Sequence, residues 1–114
     1  MENIIVTGSC GFIGHNFIKS NSSNFKIIGI DSLNNAYDKK LKELRLSSLN
    51  DEQNFTFKHL DLSNENALDK ESEIFENVST VLHLGARAGV RQSFLDPKSY
   101  ILDNTAATAN LALN

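Results

Sequence analysis

Three glycines placed directly after a short apolar run constrain this chain more than anything else in it. Asn3-Ile-Ile-Val-Thr7 leads into Gly8-Ser-Cys-Gly11-Phe-Ile-Gly14, and a helical pattern follows. The pattern predicts a buried strand over Asn3–Thr7, a tight turn, and a helix from Gly11 to about Ser20, with Ile13, Phe17 and Ile18 on its buried face. Glycine admits φ > 0 and carries no Cβ, so backbone N–H groups at the turn can approach an anion closely. The partial positive charge of a helix start favours the same anion, such as the pyrophosphate of a dinucleotide. A strand, a glycine turn and a helix in that order form the context a Rossmann unit requires. Cys10 lies inside the turn. A helix N-terminus can lower a thiol pKa, but a small space-filling residue is the expected role.

Beyond the turn, apolar runs and helical patterns alternate, which predicts a βαβ chain with a parallel sheet. Phe25–Ile30 reads as a second strand closed by Asp31, and Ser32–Tyr37 as a loop. Asp38 is placed to cap a helix reaching Leu49, with Leu41, Leu44 and Leu49 near one face. Phe55–Leu60 reads as a third strand closed by Asp61. Ser63 or Asn64 starts a third helix, to about Phe75. Ser79–Leu84 reads as a fourth strand, and Gly85–Leu95 as a loop. Asp96-Pro97 opens a last helix, with Asp as N-cap and Pro at the first helical position, and that helix is expected to run to Asn114. The fold class is α/β: a partial Rossmann fold, with the parallel sheet in order 3-2-1-4 and helices on both faces.

Bulk properties exclude several functions. A formal net charge of -3 over 114 residues gives no electrostatic footprint for nucleic acid or an anionic membrane. No apolar run approaches the roughly 20 residues of a membrane span, and the N-terminus shows no signal-peptide pattern. Cys10 is the only cysteine, which precludes an intrachain disulfide and fits a reducing cytoplasm. His15, His59 and His83 are far apart in sequence and are expected to be structural, with no metal spacing.

Asp31 lies 17 residues beyond Gly14, at the carboxyl end of the second strand. A carboxylate there can accept from both hydroxyls of an adenosine ribose and would repel a 2′-phosphate. No Lys or Arg lies in the next few residues to receive one, so NAD is expected over NADP. Asp61 and Leu62 end the third strand on the same edge, where Asp61 can accept from an adenine amine or simply cap its loop. Leu84, Gly85 and Ala86 end the fourth strand with little bulk. Arg87, Arg91 and Ser93 share the next loop, where guanidinium groups can clamp an anion or stand solvated. Asn104 falls mid-helix, where a structural contact is the plain alternative.

These residues resemble an extended short-chain dehydrogenase/reductase, within the nucleotide-sugar epimerases and dehydratases and nearest to the UDP-glucuronate 4-epimerases. The resemblance runs through VTGSCGFIG, GIDSLNNAYD, the HLDL strand end and HLGARAGVRQSFLDPKSYILDN. It implies that Gly8, Gly11, Phe12 and Ile13 hold the pyrophosphate. Asp31 and Asn35 would hold the ribose, and Asp61 and Leu62 the adenine. Leu84, Gly85, Ala86 and Arg87 would line the cofactor, with Asn104 supporting that wall, while Arg91 and Ser93 would face a UDP-sugar. The implied chemistry is hydride removal from sugar C4 by NAD and its return to the opposite face, in a homodimeric parent enzyme. A dehydratase of the same superfamily is the alternative, and a non-catalytic dinucleotide-binding module is the rival from another class. The family's Tyr-x-x-x-Lys pair is missing: Tyr37 is followed four residues on by Leu41, and Tyr100 by Asn104. Residues 1–114 are therefore expected to be the N-terminal part of an NAD(P)-binding domain, without its remainder or a substrate domain.

Overall fold

The computed structural model describes residues 1–33, 39–86 and 94–113. Strand β1 (Glu2–Thr7) is flanked on one side by β2 (Phe25–Asp31) and then β3 (Phe55–His59), and on the other by β4 (Val78–His83). All three pairings are parallel, and the order β3-β2-β1-β4 is the one expected from the sequence. Parallel pairing needs a crossover between neighbours, and the helices supply them: α1 (Phe12–Asn21), α2 (Lys39–Leu49) and α3 (Glu65–Lys70), the last followed by a 3-10 turn at Ser72–Phe75.

Alternation along β1 divides the core in two. Ile4 and Val6 point into one cluster with Ile18 of α1 and Leu49 of α2. Ile5 points into the other, with Leu68 of α3, Ile74 of the 3-10 turn and Ala107 near the C-terminal end. Helices therefore cover both faces. Each fully buried Ile or Leu contributes on the order of 1.5–3 kcal/mol, so the near-continuous apolar run of β1 is what its central position demands.

Several elements depart from expectation. Strands β3 and β4 each lie about one residue from the predicted bounds. The third helix does not run unbroken to Phe75. The Asn64 side chain caps it by accepting from Ala67 N–H, but the α-helix ends at Lys70. Asn54 and Asn77 then take φ of 61° and 62° before β3 and β4, the left-handed conformation that Asn tolerates best among non-glycines. On α2, Leu49 is buried, but Leu41 and Leu44 are 39% and 68% exposed; Lys42 occupies the inward face instead. The N-cap expected at Asp38 lies outside the described residues. The final helix keeps its Asp96 cap and Pro97 start as α4 (Pro97–Ile101), but winds as a π-helix over Leu102–Ala106 before α5 (Ala107–Ala112). No helix among the described residues is long and apolar enough to cross a membrane.

Candidate functional site

The carboxyl ends of the strands open onto a cleft of about 380 Å³. Its floor is the β1–α1 turn. Gly8 sits at φ 68°, and a Cβ there would stand 2.9 Å from the Leu84 and Gly85 backbone. The glycine therefore lets β1 and the end of β4 come together. Gly11 N–H donates to Gly8 O at 2.9 Å, closing the turn, and Ser9 N–H donates to Ile30 O at 3.2 Å, tying it to β2. Gly14 serves the packing of α1 instead. A Cβ on it would collide with the Gly8 carbonyl oxygen, so its bareness seats α1 against the turn. Gly11 has φ -74°, which any residue can adopt, so it carries no backbone strain.

Gly11 is also the N-cap of α1, and it supplies no side-chain cap. The helix's first N–H groups thus lack the usual side-chain acceptor beside the cleft, an arrangement suited to an anion. Phe12 and Ile13 line the cleft at 69% and 66% exposure. Ile13 is therefore not on the buried face of α1, where the helical period had put it; that face is Ile18 with Phe17. Arg45 of α2 lies over the Phe12 ring, 5.9 Å from its centroid, and donates to Cys10 O at 3.3 Å. Cys10 itself is fully buried, and burial, with a smaller push from Asp31, raises its thiol pKa to about 11. Desolvation outweighs any helix-terminus effect, so the thiol is inert packing.

Asp31 lines the cleft yet is only 6% exposed. One carboxylate oxygen accepts from Cys10 N–H at 3.0 Å and the other from Leu33 N–H at 2.8 Å. Lys42 stands 3.5 Å away, and both side chains are nearly buried. The expectation that no cation lies near Asp31 is corrected here. Docking of α2 brings one from 11 residues away, which no local pattern announces.

Asp61 and Leu62 also line the cleft, as do Leu84, Gly85 and Ala86. Asp61 does cap its own loop: one oxygen accepts from Ser63 N–H at 2.9 Å and from Ser63 Oγ at 2.7 Å. Asn104 is not among the lining residues. The π-helical turn presents its neighbour Asp103 to the cleft, with Ala107 beyond. Asn35, Arg87, Arg91 and Ser93 lie outside the described residues, as does Tyr37. Among the described residues no three His, Cys, Asp or Glu side chains gather as a metal site. Ile30, Ser32, Lys42, Leu60, Asp103 and Ala107 are lining residues that sequence reasoning missed, Lys42 and Asp103 being the charged ones; Gly14 was visible in the glycine motif but its role was not.

Comparison with known proteins places this architecture. The model of the NAD dependent epimerase/dehydratase family matches residues 4–113, and the chain belongs to that family. It is 42% identical over 113 residues to a UDP-glucuronate 4-epimerase of Thermodesulfobacterium geofontis, an alignment covering 94% of this chain and 33% of that protein. An uncharacterized protein of Methanocaldococcus jannaschii is 43% identical over 118 residues, covering 96% and 34%. In structure, the Bacillus cereus UDP-glucuronic acid 4-epimerase in complex with UDP-glucuronic acid and NAD superposes with a TM-score of 0.85 at 30% identity, covering 96% of this chain and 34% of that one. The chain thus spans about a third of the length of these relatives.

Proposed function

We propose that this chain is the NAD-binding portion of a UDP-sugar 4-epimerase whose substrate is UDP-glucuronate. One observation carries the reading. The glycine turn, the buried Asp31 carboxylate and the β4 end, far apart in sequence, all border one cleft at the carboxyl edge of a parallel sheet, the place where doubly wound folds bind ligands. The helix start without a side-chain cap and the exposed apolar pair Phe12 and Ile13 suit a dinucleotide pyrophosphate and its flank. The substrate assignment is supported by the related epimerases, which act on UDP-glucuronate.

In this reading the Phe12 and Ile13 amides at the helix start hold the pyrophosphate, and Gly8 and Gly11 shape the turn beneath it. Asp31 and Asn35 accept from the ribose, and Asp61 and Leu62 flank the adenine. Leu84, Gly85, Ala86 and Arg87 line the nicotinamide side, and Asn104 braces it from behind. Arg91 and Ser93 face the sugar nucleotide. Bound NAD supplies a reversible hydride acceptor for C4 of the sugar. The parent enzyme is proposed to be a cytoplasmic homodimer.

Calorimetric titration tests the cofactor. NAD is expected to bind at least about tenfold tighter than NADP, roughly 1.4 kcal/mol, because a 2′-phosphate would meet the Asp31 carboxylate. Lys42, 3.5 Å from the carboxylate, offsets part of that repulsion. Equal affinities in the unaltered chain would remove Asp31 from the ribose site. A second expectation concerns turnover. No tyrosine of residues 1–114 has a lysine four positions on, so the purified chain should not epimerise UDP-glucuronate even when loaded with NAD. Appearance of UDP-galacturonate above background would show that a different base operates.

A further inference from the structure

His83 lies at the centre of a chain of hydrogen bonds whose proton positions can be deduced one by one. Thr7 is fully buried at the end of β1. Its hydroxyl oxygen accepts from Leu84 N–H at 3.0 Å, an N–H that also reaches Thr7 O at 3.3 Å, and from Gly85 N–H at 3.0 Å. A hydroxyl has two acceptor positions and one proton. With both acceptor positions taken, the Thr7 proton has to be donated, and His83 Nδ1 lies 2.6 Å away. Nδ1 therefore carries no hydrogen, and the neutral ring holds its proton on Nε2. That nitrogen is 2.9 Å from Thr108 Oγ1, which receives it. Thr108 in turn donates its own proton to Asn104 O at 3.0 Å, within the π-helical turn.

Every donor in this series has an acceptor, and the direction closes without conflict. It joins the β1 end, the Leu84–Gly85 backbone and the π-helical segment, three parts of one cleft wall. We propose that neutral His83 is a positioning residue that holds the β4 end and the π-helical turn in the geometry of the cofactor wall, and that protonation of its Nδ1 releases them. A proton on Nδ1 would face the Thr7 hydroxyl proton across 2.6 Å. Thr7 would have to turn its own proton away and give up an amide to accept it; Leu84 N–H also reaches Thr7 O at 3.3 Å, so the loss is read at Gly85 N–H.

Burial lowers the His83 pKa below its ordinary 6.5, and among the described residues no charged group of β1, β4 or the C-terminal helix contributes to that shift. The sign follows from a depressed folded-state value: the contribution to stability is present above about pH 6.5 and lost as pH falls through the folded pKa.

The test compares the unaltered chain with His83→Asn, whose side-chain oxygen keeps an acceptor toward Thr7, and with His83→Leu, which has none. Nitrogen NMR of the imidazole should show the Nε2–H tautomer at pH 7.5. Amide hydrogen exchange, expressed as protection factors, should show Gly85 losing at least tenfold protection between pH 7.5 and the lower pH at which the same NMR reports a doubly protonated His83 ring in the unaltered chain. His83→Asn should keep that protection at both pH values, and His83→Leu should lack it at both, while far-UV circular dichroism reports that each variant is folded. If His83→Leu fails to fold, the unaltered chain and His83→Asn decide alone. An Nδ1–H tautomer, or a pH response shared by His83→Asn, overturns the proposal. NAD affinity should follow the same pattern, falling about tenfold on acidification only where His83 is present. This binding arm rests on the cofactor reading above, and the exchange arm does not. Exchange behaving as stated with no NAD bound at pH 7.5 would therefore strike the cofactor reading and support the positioning role.

Discussion

Gly8→Ala is expected to cost about 2–5 kcal/mol of folding stability and to abolish NAD binding with it. Two effects add. The left-handed conformation at φ 68° costs an L-residue roughly 1–2 kcal/mol. The new Cβ would also sit 2.9 Å from backbone atoms of Leu84 and Gly85, which cannot rotate away as a side chain could. Forcing such a contact apart costs roughly 1–3 kcal/mol, and it pries β1 from the end of β4 just where the cleft begins. A domain has on the order of 5–15 kcal/mol to lose, so urea melts should show a large fall in midpoint. Gly11→Val is the control. Gly11 has φ -74°, and the loss there should be near 1 kcal/mol, since valine is a poor N-cap. Its branched side chain would nonetheless fill the cleft, and NAD binding should vanish. A Gly8→Ala chain as stable as the parent, or a Gly11→Val chain that still binds NAD, would separate the glycine turn from the phosphate site.

The contrast between those two glycines shows what could be read from the chain and what could not. The motif announces the turn, and strand-helix alternation is strong enough to give the parallel sheet and its order. Periodicity also marks buried faces, because water exclusion acts on the side chain's position around the helix. It does not reveal which glycine takes the positive φ, since that depends on where β4 lands. It failed on α1 and α2 for one reason. Ile13 and Lys42 both line the cleft, where an apolar residue is left exposed and a cation is drawn inward to a carboxylate. The π-helical turn was invisible too. Nothing local in Leu102–Ala106 forbids a regular helix, and the turn's tie to the sheet is tertiary, from Asn104 O through Thr108 of the following turn to His83 of β4.

Asp31→Ala should be the second large change, and most of it should appear in folding rather than in affinity. From the sequence, Asp31 is a ribose ligand worth roughly 1.5–3 kcal/mol per charge-assisted bond. In the structure it also anchors the glycine turn through Cys10 N–H, holds Leu33 N–H, and faces Lys42 at 3.5 Å with both side chains nearly buried. Removing one member of a buried ion pair costs roughly 3–5 kcal/mol, because the other charge keeps its desolvation penalty and loses its counterion. Alanine would therefore destabilise the chain by about that much and blur any binding measurement. Asp31→Asn/Lys42→Met separates the two roles. It keeps an acceptor for one backbone N–H and removes both charges together, so stability should recover to within about 1–2 kcal/mol of the parent. NAD affinity should stay lower, since a neutral amide accepts more weakly from the ribose hydroxyls, and NADP should gain relative to NAD. Chemical denaturation and calorimetry on the single and double variants give the comparison. If the double variant is no more stable than Asp31→Ala, the pair is not what holds α2 over the turn. If its NAD-to-NADP ratio matches the parent, the carboxylate does not read the ribose.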